Sequence, residues 1–140
     1  MNIKVFVDSD VVISSMLSHR GAAYALLQNT LVSCFVSQYS VEELRRVVDR
    51  LLMKQSELNA RVKQCSVVPI KESLIVVRSR YFKYVYDIHD SHIVAGAKTA
   101  QVSFLATYNL KHYRIDLIKE KLGILVYTPA QILQYLRSTN

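Results

Sequence analysis

Apolar and polar positions along this chain follow two rhythms in turn, and their succession predicts strands exchanging with helices from one end to the other. Residues 3–7 are an apolar run that stops at Asp8 and reads as an opening strand. A helical pattern covers 22–28 after the break at Gly21, and 31–36 reads as a second strand. From Ser37 the period is helical, with Val41, Leu44, Val47, Val48, Leu51 and Leu52 on one face, and a further amphipathic piece spans 56–64. Residues 67–70 make a short strand, whereas the β-branched and aromatic side chains of 74–86 suit strand or helix equally. Asp87 opens a helix that runs to about residue 100, followed by a strand at 102–106, a helix at 117–121, a strand at 124–127 and a terminal helix starting at Pro129. This alternation predicts an α/β protein with a mainly parallel central sheet covered by helices.

Composition adds bounds to that picture. With 140 residues and 51% hydrophobic content, the chain can bury a sizeable core as a single domain, 1–140, and no repeat, low-complexity tract or linker divides it. No segment reaches membrane-spanning length, and Asp8 and Asp10 interrupt the N-terminal apolar run, so neither a membrane span nor a secretory signal is expected and the cytoplasm is the expected location. Cys34 lies in an apolar run and reads as core, so it and Cys65 are expected as reduced thiols rather than a disulfide or a metal pair. The formal charge of +7 favours a polyanionic partner such as nucleic acid, although charge alone also fits a merely basic protein.

The candidate chemistry is acidic. Asp8, Glu43, Asp87 and Asp90 all sit beside core-forming residues. Two carboxylates about 4 Å apart repel by roughly 4 kcal/mol at an effective dielectric near 20, so a cluster of them is tolerable mainly around a cation or a shared proton. Sites in parallel sheets form beyond the carboxyl ends of strands, where Asp8 and Asn109 both fall. Asp87 serves equally well as a helix N-cap or a metal ligand, while Asp90 continues through Ile93, Val94 and Ala97, the buried stripe, and reads as a site residue. Helical phase separates two neighbours: Glu42 shares a solvated face with Arg45, Arg46 and Asp49, and Glu43 lies along the edge of the apolar stripe, facing a cleft unless it closes a capping box with Ser40.

At this point the motifs resemble the PIN-domain ribonucleases, and more narrowly the PIN-domain toxins of bacterial and archaeal toxin–antitoxin systems. VFVDSDVVISSML resembles the family's opening strand with its first metal carboxylate at Asp8, and has Asp10 where Asn is usual. SQYSVEELRRVVDR resembles its second acidic motif at Glu43, and DIHDSHIVAGAKTAQVSFLATYNLKHY its third and fourth, with Asp90 the main acid, Asp87 accompanying it and Thr107 leading into the last site position. GILVYTPAQILQYL is similar to the family's last strand and helix, so the likeness covers nearly the whole chain. Asn109 stands where many members carry Asp, which leaves the site one formal charge short.

The resemblance implies a three-layer α/β/α PIN-like fold and a divalent-metal-dependent endoribonuclease. Asp8, Glu43 and Asp90, with Asp87, would hold Mg²⁺ or Mn²⁺, and Asn109 would ligate or position water. It also implies an RNA substrate, a cognate antitoxin protein and a homodimer. Thr107 is an accessory candidate through its hydroxyl, and Lys111, His112 and Arg114 are candidates for holding RNA phosphates, though as loop residues they also read as plain solvated charges. Basic and aromatic side chains interleaved over 80–86 suit base stacking or, equally, packing or a subunit interface. Two other readings stay open. One is a PIN-like module that binds RNA or protein but cleaves poorly because of Asp10 and Asn109. The other is a haloacid-dehalogenase-like phosphatase with Asp8 of the DxD opening as nucleophile, against which the acidic pair precedes Thr107 instead of following it.

Overall fold

The computed structural model describes residues 2–139. Five strands form one sheet: β1 (Ile3–Val7), β2 (Val32–Ser37), β3 (Cys65–Val68), β4 (Phe104–Ala106) and β5 (Leu125–Tyr127), in the order β3-β2-β1-β4-β5 with every pairing parallel. Eight helices connect and cover them: α1 (Ser9–Leu17), α2 (Ala22–Gln28), α3 (Gln38–Arg50), α4 (Gln55–Lys63), α5 (Leu74–Tyr81), α6 (Ser91–Ala100), α7 (Ile115–Leu122) and α8 (Pro129–Thr139). Side chains alternate across the sheet, so Ile3, Val5 and Val7 of β1 face one core with α1, α2, α3, α4 and α8, while Phe6 faces the other with α6 and α7. The result is the expected three-layer α/β/α arrangement. Among the described residues no helix is long and apolar enough to cross a membrane.

The topology places the site. Strand order runs outward from β1 through β2 to β3, then jumps back to β4 on the opposite side of β1 and continues to β5. The connections therefore diverge at the carboxyl ends of β1 and β4, the crevice where open parallel sheets receive ligands. Asp8 leaves β1 there, its amide donating to the Ala106 carbonyl at 2.9 Å, and Thr107 leaves β4 beside it.

Two expectations from the sequence need correction, and two stretches that it left open take a definite form. Residues 9–17 form α1, which the run Val11, Val12, Ile13 disguised because β-branched residues are weak helix formers. The α3 apolar face stops before Leu51 and Leu52: the helix ends at Arg50, Leu52 takes φ 57°, and the two side chains are 50% and 93% exposed. The ambiguous stretch is helical as α5, capped by Ser73, and it is followed by a 3₁₀ turn at Phe82–Tyr84. Asp87 opens not the long helix but a 3₁₀ turn at Ile88–Asp90, and α6 starts at Ser91. Cys34 and Cys65 are free thiols that face each other in register across β2 and β3. Burial pushes the Cys65 thiol up to about 12 and the Cys34 thiol higher still, which keeps both protonated and inert.

Candidate functional site

Asp8 anchors the site and is only 8% exposed. Its Oδ1 accepts from the Ser9 amide at 2.7 Å, which also caps the start of α1. Its Oδ2 accepts from the Thr107 hydroxyl at 3.0 Å and from the Tyr113 phenol at 2.6 Å. Three donors thus fix both oxygens of a buried carboxylate. Burial raises the Asp8 pKa most, with a further push from Glu43, and the hydrogen bonds from Tyr113, Thr107 and Ser9 only partly oppose it. Tyr113, itself 3% exposed, is held well above the ordinary phenol value by burial and by Asp8, so it stays a donor.

Glu43 enters from α3, where Ser37 rather than Ser40 caps the helix and Ser40 donates its amide to the Ser37 hydroxyl. The Glu43 carboxylate is therefore not spent on a capping box: it accepts from the Ser9 hydroxyl at 2.6 Å and meets His92 Nε2 at 3.3 Å. Burial raises its pKa, but the hydrogen bonds from His92 and Ser9 outweigh that and hold Glu43 below its ordinary value. Glu42 is exposed, as its helical phase predicts, yet it still borders a cavity of about 110 Å³ lined by Glu43, Arg46, Arg78, His89 and His92.

From α6 and the turn before it come Asp90 and Asp87. Asp90 is partly buried with no cap bond to spend itself on, and His112 Nδ1 lies 3.6 Å from its Oδ2. Burial first and Asp8 second push its pKa up to about 6. Asp87 is exposed and turned to its own backbone, accepting from the His89 amide at 2.9 Å, with the His89 ring at the same distance. These bonds lower its pKa, and it is more exposed than Asp90. Thr107 is fully buried, between Asp8 and the amide of Asn109. Lys111, His112 and Arg114 are exposed around a 3₁₀ turn at Leu110–His112, and the Arg114 guanidinium lies over the Tyr86 ring, 5.0 Å from its centroid.

Five residues of this surround were not read as site residues from the sequence, and Asp10 was marked there only as a departure from the motif. Ser9, His92 and Tyr113 bond the acids directly, Asp10 bonds Thr107 and Asn109, and Arg46 and Arg78 line the cavity. His92 carried a signal, being a lone ring among apolar residues at the head of α6. Tyr113 carried none, because it reaches Asp8 through an antiparallel bridge to Val85 that no local pattern encodes.

The donor set is all hard oxygen, which suits Mg²⁺ or Mn²⁺. Asp8 raises the pKa of both Asp10 and Asp90, so a cation among them would relieve a repulsion the fold maintains. Among the described residues no three acidic, histidine or cysteine side chains converge on one point. An ion held here would therefore take one or two of the carboxylates directly and reach the others through its own water, as Mg²⁺ commonly does.

A pH dependence follows. Asp10 and Asp90 each rise from an ordinary 3.8 to about 6, so the folded protein binds their protons more tightly than the unfolded chain does. Their contribution to stability is complete below 3.8 and is lost as pH rises through about 6, by something on the order of 1 kcal/mol each after solvent screening. Glu43, whose pKa is lowered, acts in the opposite sense and only at more acid pH. Melting curves in EDTA from pH 4.5 to 7.5 should therefore show a destabilising component that Asp90→Asn reduces and Mn²⁺ removes. An identical pH profile for wild type and Asp90→Asn would contradict it.

Comparison with known proteins agrees with this fold. Two solved structures share the fold. VapBC2 from Rickettsia felis, bound to a DNA fragment from its promoter, superposes with a TM-score of 0.64 at 14% identity, covering 89% of this chain and 97% of that one. The Mycobacterium tuberculosis toxin VapC20, described as cleaving the sarcin–ricin loop, superposes with a TM-score of 0.53 at 14% identity, covering 72% of this chain and 86% of that one. No curated protein matches the chain significantly. The PIN domain profile matches residues 4–111, which span β1 through the turn after β4 and all the acids described above, and the chain thus belongs to the PIN-domain family.

Proposed function

We propose that this protein is a divalent-metal-dependent endoribonuclease, the toxin of a toxin–antitoxin pair. The observation that carries the reading is that Asp8, Glu43 and Asp90, from the end of β1, from α3 and from the turn before α6, lie near enough to one another that Asp8 and Glu43 both push the Asp90 pKa up. Asp8, Glu43 and Asp90 would hold Mg²⁺ or Mn²⁺, with Asp87 at the solvent side. Held by these residues, such an ion would make a water acidic enough for in-line attack and would offset charge on the phosphoryl oxygens. The chain's own part is to fix the acids: Tyr113 and Thr107 orient Asp8, and Ser9 and His92 orient Glu43. Arg46 and Arg78 border the cavity beside Glu43, and His112 lies beside Asp90, so these side chains, with Lys111 and Arg114, can meet phosphates flanking the cut.

RNA as substrate is supported by the +7 charge and by the activity described for VapC20; an antitoxin partner is supported by the likeness to VapBC2, and both fit a cytoplasmic protein. Exposed Ile75, Phe82 and Tyr86 suit a homodimer contact. Incubating purified protein with RNA in Mn²⁺, in Mg²⁺ and in EDTA tests the reading: cleavage with either metal that stops in EDTA is expected. Metal-independent binding without cleavage would instead show a binding module. Glu43→Gln keeps an acceptor for Ser9 while removing the charge, and should lower metal-dependent cleavage by about 10- to 100-fold or more. Glu42→Gln should change stability by less than about 1 kcal/mol and leave cleavage within about threefold, because its side chain is solvated. Equal losses in the two variants would sink the assignment of Glu43.

A further inference from the structure

Asp10 and Asn109, the two positions at which the chain departs from the motifs it resembles, are in direct contact. Asn109 Nδ2 donates to Asp10 Oδ2 at 2.9 Å. The same oxygen accepts from the Tyr108 amide at 3.0 Å and lies 3.3 Å from the Thr107 hydroxyl. Thr107 in turn donates to Asp8 at 3.0 Å, so one hydroxyl stands between the two carboxylates. Asp10 Oδ1 is buried and has no partner. One oxygen of Asp10 is thus pinned by three successive residues at the exit of β4, while the other is withheld from solvent with nothing to bond, which a folded protein avoids unless a ligand completes it.

We propose that Asp10 is a further metal-binding carboxylate of the site and that Asn109 is its positioning residue. This rests on the metal-dependent nuclease reading and deepens it. The acid absent after β4 is supplied from the first turn of α1, and acid and amide have changed places across one hydrogen bond. The charge of the site is therefore not one short. An amide at 109 does what a carboxylate there could not: it donates to Asp10 and fixes the position of that oxygen. The pairing also removes the ground for reading the chain as a weakened nuclease, since the two departures compensate each other.

The consequence for Asn109→Asp is specific. It replaces a donor by a second carboxylate at hydrogen-bond distance from Asp10, so the metal-free protein should melt lower, and added Mn²⁺ should raise the melting temperature more than it does for wild type.

The test is Mn²⁺ binding by titration calorimetry, with melting temperature measured alongside, on wild type, Asp10→Asn, Asn109→Asp and the exchanged double variant D10N/N109D. Asp10→Asn is nearly isosteric, and its melting temperature in EDTA reports whether it folds. Expected are a loss of Mn²⁺ affinity of about tenfold or more in Asp10→Asn and recovery to within about threefold of wild type in the double variant, where the acid–amide pair is rebuilt with its roles reversed. A wild type that binds Mn²⁺ together with an Asp10→Asn variant that binds it equally well overturns the assignment of Asp10 alone. So does a double variant that binds Mn²⁺ no more tightly than Asp10→Asn alone. A wild type with no Mn²⁺ response overturns the nuclease reading itself.

Discussion

Replacing Asp8 with Asn is expected to abolish metal-dependent RNA cleavage while leaving the fold intact. Side chains that merely support a metal ligand typically cost 10- to 100-fold when removed, so a buried ligand should cost at least about 100-fold. The substitution keeps an oxygen for Tyr113 and Thr107, because the amide carbonyl can sit where Oδ2 now sits. The amide nitrogen then faces the Ser9 amide, and a helix-capping bond of about 1 kcal/mol is lost at the start of α1. Against that loss stands the relief of a buried charge that Glu43 also repels. The metal-free protein should therefore melt within a few degrees of wild type, or above it, and lose its stabilisation by Mn²⁺. Asp90→Asn should lose cleavage likewise, with less change in the metal-free protein because Asp90 is nearer solvent.

Two outcomes would break that account. Retained metal-dependent cleavage in both variants would remove the proposed site. A collapse of Asp8→Asn in far-UV circular dichroism would show that Asp8 is chiefly structural. Tyr113→Phe separates the two roles: it removes the shortest bond to Asp8 without touching a charge, so cleavage should fall while the fold persists.

What the sequence revealed about this site was its charges; what it hid was their supports. Asp8 and Thr107 fall at strand ends that hydrophobic runs mark well, because a buried parallel strand must be apolar on both faces. Glu43 was separable from Glu42 because α3 is strongly amphipathic and half-exposed, so its phase is written in the sequence. By contrast α1 mixes serines with apolar residues and shows no clear polar stripe, and its helix signal is confined to the Asp8 cap. Tyr113 and His92 were invisible for another reason. Their bonds to Asp8 and Glu43 join residues far apart in the chain, and such contacts are set by how the layers pack rather than by any local period. The contact between Asp10 and Asn109 belongs with them: each departure was legible by itself, but their compensation exists only in three dimensions.

The packing that brings α6 over β1 depends on Gly96, and Gly96→Ala should be among the most damaging single changes outside the acids. A helix interior normally favours Ala over Gly by up to about 1 kcal/mol, so propensity alone predicts that the variant is more stable. The structure predicts the reverse. A Cβ at position 96 would lie 2.4 Å and 2.5 Å from two ring carbons of Phe6, a side chain with no solvent exposure and therefore no room to retreat. Overpacking of this kind costs about 1–3 kcal/mol, equivalent to a fall of roughly 5–10 °C in melting temperature for a chain of this size. Function should suffer beyond stability. Phe6 sits two residues before Asp8 in the strand, and α6 carries Asp90 and His92 at its head, so pushing the helix off the sheet separates the acids of the site. Cleavage measured well below the melting temperature should thus fall by more than the unfolded fraction accounts for. Phe6→Leu, added to Gly96→Ala, removes the ring end that the new methyl meets and should recover part of both losses. A Gly96→Ala variant that melts at or above the wild-type temperature would show that Phe6 yields freely and that the helix is placed by other contacts.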